Sequence, residues 1–190
     1  MKKTTLLFMA ILAILTVACS TAKTSNHAVF QLTNSPATAV YEKDSIKIAI
    51  YSAVGADIAG NALLEKLLSR GYILLRMDIE NKSTKKLAFN PAMSHLLAGA
   101  MDYKKPLDYP DLYQMLSTSD SSATPDAELR SIKGRFYDTN TVLKAGEKTS
   151  KLLIFLPLDP GSKNAMFTMH ELYVGTEVVT VAFPFVVKKK

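Results

Sequence analysis

The sequence predicts a mostly β protein, built as an antiparallel two-sheet sandwich with short helical insertions. Three segments support this prediction, because residues 46–51, 73–80 and 177–187 alternate apolar with polar or small side chains, as strands with one buried face do. Turn residues separate these segments from further short apolar runs, so six to eight antiparallel strands are expected. Strands in this number and at this spacing favour two packed sheets.

The individual elements follow from local patterns. Residues 58–68 carry four leucines at helical spacing, which predicts a short amphipathic helix with Asp57 as its N-cap and Gly71 at its end. Pro184 predicts an edge position or a bulge at that end of the last strand, because proline cannot donate a ladder hydrogen bond. Further strands are expected near 85–90, near 94–98, at 141–143, at 151–156 and at 165–174.

Residues 102–137 are predicted to form an irregular insertion, because three prolines interrupt them. One or two helical turns are expected at 109–116 and a second helix at 126–136, with a loop at 117–122 between them. Insertions of this length between strands often hold functional residues.

The N-terminus has the three parts of an export signal. Lys2 and Lys3 precede an apolar run over residues 6–15, and small residues then lead to Cys19. The apolar run is shorter than the about 20 residues that cross a bilayer, so a permanent membrane-spanning helix is not expected. This order of charge, apolar run and small residues predicts a signal peptide over residues 1–18.

The residues around Cys19 resemble the lipobox of bacterial lipoproteins. Val17 and Ala18 fit the positions before the cysteine, whereas Thr16 stands where the family usually has Leu. The resemblance implies cleavage after residue 18, lipid attached to Cys19 and anchoring of the mature protein to a membrane. Ser20 follows the cysteine where Asp would favour the inner membrane, so the resemblance implies the outer membrane, facing the periplasm.

The rest of the chain is predicted to be a tether and one domain. Residues 19–44 are rich in Ser, Thr, Ala and Asn and indicate a flexible tether, which leaves 45–190 for a single domain that includes the insertion at 102–137. Cys19 is the one cysteine of the chain, so no disulfide within the chain is expected. The net charge of +6 comes from scattered lysines, and no nucleic-acid-binding motif is present.

Two further segments carry a resemblance to known domains. Residues 73–91 form a strand, an Asn-containing turn and a strand ending in Asn-Pro, and residues 142–157 combine a Gly-Glu turn with an apolar strand. Together they resemble exported bacterial immunoglobulin-like domains of unknown function, which carry a Pro-Gly-Glu … Phe-x-x-Pro hairpin. Lys144 and Ala145 stand in this chain where that proline is expected. The resemblance implies an immunoglobulin-like antiparallel β-sandwich and no activity, because the hairpin is structural.

No catalytic constellation is apparent in the sequence. It has no Gly-x-Ser-x-Gly elbow and no Ser-x-x-Lys with Lys-Thr-Gly, so a nucleophilic hydrolase is not expected. Two pairs of carboxylates occur in the insertion, where we interpret them as helix caps or solvated loop residues rather than as glycosidase acids: Asp108 with Asp111 and Asp126 with Glu128.

Methionine and histidine side chains suit copper in exported proteins. The sequence offers Met166, Met169 and His170 in one segment, with Met93, His95 and Met101 elsewhere. In a strand, however, Met169 and His170 point to opposite faces. No metal or other cofactor is therefore expected.

Four tyrosines in the insertion are the candidate partner-binding residues, because exposed aromatic rings provide rigid contact area: Tyr103, Tyr109, Tyr113 and Tyr137. The alternative is that they pin the insertion to the sandwich. We therefore predict a non-enzymatic, membrane-anchored envelope lipoprotein that acts as a protein-binding or structural module. The second hypothesis is a carrier or enzyme for a small envelope ligand, with 102–137 as a lid.

Overall fold

The computed structural model describes residues 39–187 apart from 54, 100, 119–122 and 160. These residues form antiparallel sheets with few helices, which confirms the predicted mostly β class. The predicted signal peptide, Cys19 and the tether up to residue 38 lie outside the described residues. Within the described ranges, no helix combines the length and the apolar character needed to cross a membrane.

The first sheet has four strands in the spatial order β1, β2, β3, β8. These are β1 (Ala39–Lys43), β2 (Ile46–Ser52), β3 (Ile73–Asn81) and β8 (Lys148–Phe155). The second sheet contains β4 (Leu87–Phe89), β5 (Ser94–Ala98), β6 (Asp102–Lys104), β7 (Thr141–Leu143), β9 (Asn164–Val174) and β10 (Glu177–Val186). All the ladders between these strands are antiparallel.

The long strand β9 organises the second sheet. It pairs with β10 on one side and with β4 and β5, one after the other, on the opposite side. Strand β6 then pairs with β5, and β7 pairs with β4. Strand β10 pairs with β9 alone among the described strands, which confirms the edge position predicted from Pro184.

The ordered domain begins earlier than the predicted boundary at residue 45. Strand β1 occupies part of the predicted tether and pairs along its whole length with β2, and Tyr41 within it is buried. Asp44 and Ser45 close the hairpin with φ values of 53° and 63°, as two-residue hairpin turns require. The prediction was wrong here because neither residue is the glycine that usually marks such a turn.

The main core lies between the two sheets. The inward side chains of β2 and β3, including Ile48, Ile50 and Met77, belong to the same buried cluster as Phe167 and Phe183 of the second sheet. The alternation read from β3 is confirmed, because its inward residues are buried or nearly so and its outward residues are Arg76, Asp78 and Glu80.

A second core forms where three helices cover part of the outer face of the first sheet. They are α1 (Ala62–Ser69), α2 (Tyr109–Ser117) and α3 (Pro125–Arg130). Their buried leucines, such as Leu64, Leu112 and Leu129, cluster with Leu74 of β3 and Ile154 of β8. Residues 102–137 are thus less irregular than predicted, because apolar residues at helical spacing in this segment pack against the outer face of the first sheet.

Two helix ends differ from the prediction. Asn61, not Asp57, caps α1, and its side chain accepts a hydrogen bond from the Leu64 N–H at 3.0 Å. Asp57 ends a 3-10 turn instead. The helix predicted at 126–136 stops at Arg130, and a turn then brings Phe136 into a bridge with β8.

Buried Asn81 joins two connections that cross between the sheets, from β3 to β4 and from β7 to β8, so residues 142–157 do not form the hairpin that the resemblance implies. Its amide donates to the carbonyl oxygens of Lys85, Leu143 and Lys144 at 2.8, 3.2 and 3.0 Å. Its side-chain oxygen accepts from the Ser83 hydroxyl at 2.7 Å and from the Ser83 N–H at 3.1 Å. One side chain that is 0% exposed therefore fixes the β3–β4 connection to the β7–β8 turn.

Candidate protein-binding face

The outer face of the second sheet carries rows of uncharged side chains. Residues directly opposite each other on paired strands point to the same face, so the strand register defines the rows. One row runs through Tyr103, Leu97, Met166 and Pro184; a second through His95, Thr168 and Ala182; a third through Val142, Ala88, Tyr173 and Val178. We call these eleven residues the uncharged face, because none of them is Lys, Arg, Asp or Glu.

The part of the first sheet's outer face that the helices leave uncovered is different. Its register aligns Glu42, Lys47, Glu80 and Lys148 in one row across all four strands, with alternating sign of charge. Such a row is typical of a solvated sheet surface, where polar residues alternate with the buried ones. The two sheets therefore share one core but present outer faces of opposite character.

Several side chains of the uncharged face are open to solvent. Tyr103, Val142 and Val178 are more than half exposed, at 52%, 58% and 56%, and Tyr173 is 37% exposed. Val142, Tyr173 and Val178 belong to one row and form an exposed apolar patch, whereas Tyr103 belongs to the row through Met166, seven residues away along β9. Exposed apolar patches mark interaction sites more often than ordinary surface does.

Polar contacts lie beside this patch. Lys85 and Glu177 form an ion pair at 2.6 Å near the β9–β10 turn, and both side chains are exposed. Glu171, at the irregular part of β9, accepts a hydrogen bond from the Tyr173 hydroxyl at 2.9 Å. An apolar centre with charged groups beside it is the arrangement found in protein interfaces.

Two histidines meet on the same face. His95 of β5 and His170 of β9 place Nδ1 and Nε2 3.1 Å apart, and their ring planes differ by 18°. Tyr103 stacks on His95 with ring centroids 4.6 Å apart. Burial, followed by the neighbouring His170, lowers the pKa of His95. The lowered pKa favours the neutral form of His95 within this ring-stacked group.

The structure separates the four predicted tyrosines. Tyr103 belongs to the uncharged face, whereas Tyr109 and Tyr113 lie on α2, on the helical side of the first sheet. Tyr137 is 1% exposed in the main core, where its hydroxyl donates to the Met77 carbonyl oxygen at 3.1 Å. Its ring is therefore not available to a partner, and burial raises its pKa well above the usual range.

Other predicted groups have structural contacts. Asp108 and Asp111 form the capping box of α2, Asp126 accepts from the Tyr109 hydroxyl at 3.3 Å, and Glu128 pairs with Lys66 at 3.3 Å. Met169 is fully buried and His170 is exposed, so they point to opposite sides of β9. Asp108 and Asp111 are thus helix caps, as interpreted from the sequence, whereas Glu128, within α3, forms a largely buried ion pair instead.

A hollow on the first sheet, about 450 Å³ in volume, surrounds Arg76. The guanidinium of Arg76 donates to Asp57 at 2.9 Å, to Asp78 at 3.0 Å and to Ser150 at 3.0 Å. The hydrogen bonds that Arg76 donates to these two carboxylates, first to Asp78 and then to Asp57, raise its pKa. Because the guanidinium of Arg76 already donates hydrogen bonds to both carboxylates, it links the turn at Asp57 to the sheet and is not available to bind an anion.

Sequence reasoning did not find the uncharged face. The individual outward residues of β9 and β10 are visible as apolar or small residues at alternate positions, and that signal was available. Their assembly with Val142, Ala88 and Leu97 depends on the register of strands far apart in the chain, which composition and periodicity do not provide.

No family model matches this chain, and no curated protein matches its sequence. Among solved structures, the chain is similar to the yjhA protein from Bacillus subtilis, with 11% sequence identity and a TM-score of 0.44. The similarity covers 77% of this chain and 95% of that one. Likeness at this level indicates neither a shared family nor a function.

Proposed function

We propose that this chain is a lipid-anchored envelope protein that binds another protein through the uncharged face. The observation that carries the proposal is the composition of that face, because the eleven outward residues that the strand register aligns on the second sheet include no Lys, Arg, Asp or Glu. On the first sheet, by contrast, an outward row alternates in charge. Charged residues are depleted at the centres of interfaces, and aromatic residues and Met are enriched there.

The size of the face supports a protein partner rather than a small ligand. Four strands spaced about 4.8 Å apart and a β9 strand of 11 residues give a flat area of about 700 Å². A standard protein interface buries about 800 Å² on each partner. Small ligands are instead bound in concave sites that enclose most of their surface.

The strand order supports the immunoglobulin-like arrangement within the proposal. In that fold, the second strand of the Greek key pairs with the fifth, and the sixth lies between the third and the seventh. Here β3 pairs with β8, and β9 lies between β10 and the β4–β5 edge. If β2 is counted as the first strand, β4–β5 as the third and β8 as the fifth, these pairings agree with that order, but no described strand pairs with β8 in the position of the fourth.

Membrane anchoring rests on the sequence. The export signal over residues 1–18 and the lipobox resemblance at Cys19 are what support it. Each buried CH₂ of an acyl chain contributes about 0.8 kcal/mol, so two or more chains hold a protein durably at a bilayer. We propose the outer membrane, facing the periplasm, on the basis of Ser20.

The lid hypothesis is less well supported. Helices α2 and α3 bury Leu112, Leu116 and Leu129 against the second core. Each buried leucine stabilises the closed position by about 1.5–3 kcal/mol, so lifting both helices costs several kcal/mol. These helices behave as part of the domain rather than as a cover that opens over a site.

Lysine substitutions test the proposal. Tyr103→Lys and Val142→Lys place a charge on the uncharged face, and Tyr113→Lys is the matched control, because Tyr113 is similarly exposed on α2. The two face variants are expected to weaken co-purification of the partner from solubilised membranes at least about tenfold, since an unpaired buried ammonium costs more than about 1.4 kcal/mol.

The control variant keeps wild-type binding if the proposal is correct. Loss of binding in Tyr113→Lys with retention in both face variants would move the interface to the helical side and refute the proposal. Thermal unfolding of each variant separates lost binding from lost folding, because surface substitutions at these exposed positions change stability little.

A further inference from the structure

The two hydrogen-bonded histidines of the uncharged face bring two potential metal-ligand nitrogens close together. Nδ1 of His95 and Nε2 of His170 are 3.1 Å apart, and the strands that carry them are joined by the β5–β9 ladder. Both side chains lie on the outer surface, and no other described histidine, cysteine, aspartate or glutamate completes a cluster of three around them. A metal held here therefore has two protein ligands and open positions for water.

The nitrogen separation matches two adjacent ligands of one ion. Nitrogens that each lie about 2.0–2.1 Å from an ion, at an angle of about 90–109°, are about 2.8–3.4 Å apart. Without a metal, the two nitrogens share a hydrogen bond whose donor depends on the tautomers of the rings. Rotation of both rings about the terminal side-chain torsion, which has broad preferences, directs both lone pairs to a common point.

The surroundings help to position one of the two ligands. Metal ions bind the neutral imidazole, and protons compete for the same lone pair. Tyr103 stacks on the His95 ring and limits its orientations. The site is thus partly organised before an ion arrives.

We propose that His95 and His170 form a surface site for a late first-row divalent ion, with Cu²⁺ bound more tightly than Ni²⁺ or Zn²⁺. Imidazole nitrogens suit these ions, and the affinity of such ligands rises along the series to Cu²⁺. Mg²⁺ and Ca²⁺ prefer oxygen ligands and do not bind here. Met169 takes no part, because it is fully buried on the other side of β9. The site lies within the uncharged face, to which His95 belongs, but its metal binding is tested without the partner protein proposed above.

Titration of the tag-free full-length protein in detergent with ZnCl₂, followed by calorimetry and by NMR of the histidine rings, tests the site. One equivalent of Zn²⁺ is expected to bind and to shift the ring signals of both histidines. His95→Asn and His170→Asn each remove one of the two imidazole ligands and are expected to weaken Zn²⁺ binding at least about tenfold. His27→Asn is the matched control, because His27 lies far along the sequence from both ligands.

The Cu²⁺ form gives a second measurement. Its electron paramagnetic resonance spectrum is expected to contain coupling to two imidazole nitrogens, and coupling to one in either single variant. Wild-type affinity in His95→Asn or His170→Asn overturns the inference. So does loss of binding in His27→Asn, or Mg²⁺ that competes with Zn²⁺ at equal concentration.

Discussion

Asn81→Ala removes a buried side chain that joins the β3–β4 connection to the β7–β8 turn. The variant loses the amide donor to three carbonyl oxygens and the oxygen that accepts from Ser83. A typical hydrogen bond contributes about 1 kcal/mol, and a buried group left without a partner costs about 1–3 kcal/mol. Backbone relaxation and water recover part of this at the turn, so the expected loss is about 3–4 kcal/mol.

Urea unfolding followed by circular dichroism measures this loss. Asn90→Ala is the matched control, because Asn90 makes one cap hydrogen bond, to the Ala92 N–H at 3.0 Å, and its loss is expected to cost about 1 kcal/mol. Asn81→Asp keeps the size of the side chain but cannot donate when ionised, so it is expected to be at least as destabilised as Asn81→Ala at pH 7. A loss in Asn81→Ala no larger than that of Asn90→Ala would refute the reasoning.

Three further predictions concern other parts of the chain. Ser45→Gly is expected to stabilise the protein by about 0.5–1 kcal/mol in urea unfolding, because relief of the left-handed conformation exceeds the entropy that glycine loses on folding; a destabilised variant would contradict this. The pKa of His95 is lowered in the folded state, so the unfolded state binds more protons. The free energy of unfolding is therefore expected to fall as the pH drops from about 7 through the folded-state pKa. His95→Gln is expected to flatten this pH dependence, and an unchanged slope would contradict the prediction. Mass spectrometry of protein from bacterial membranes is expected to find acyl chains on Cys19, and Cys19→Ala is expected to release the protein from the membrane fraction; unmodified Cys19 in the membrane-bound protein would rule out lipid anchoring.

The strands were predictable from the sequence where one face is buried and the other is not. β3 is the clearest case, because its inward residues, such as Met77, alternate strictly with Arg76 and Asp78. β1 was missed because it is short and lies next to a region of polar composition, and because its tight turn uses Asp44 and Ser45. Helix ends were less predictable, because Asn61 and Asp57 are both good caps and tertiary contacts decide between them.

The candidate site was less predictable than the fold. The tyrosines were selected for their position in one insertion, but Tyr103 and Tyr113 belong to different layers of the molecule and Tyr137 belongs to the core. The pairing of His95 with His170 joins residues 75 positions apart and depends on the β5–β9 register. Pattern reasoning within a single segment does not give that register.

Site-specific photo-crosslinking in intact cells tests the central claim most directly. A photoreactive residue at Val178, on the uncharged face, is compared with one at Lys148, in the charged row of the first sheet. A discrete crosslinked partner protein at Val178 and none at Lys148 is the result that the proposal predicts. A partner captured from Lys148 but not from Val178 would contradict it.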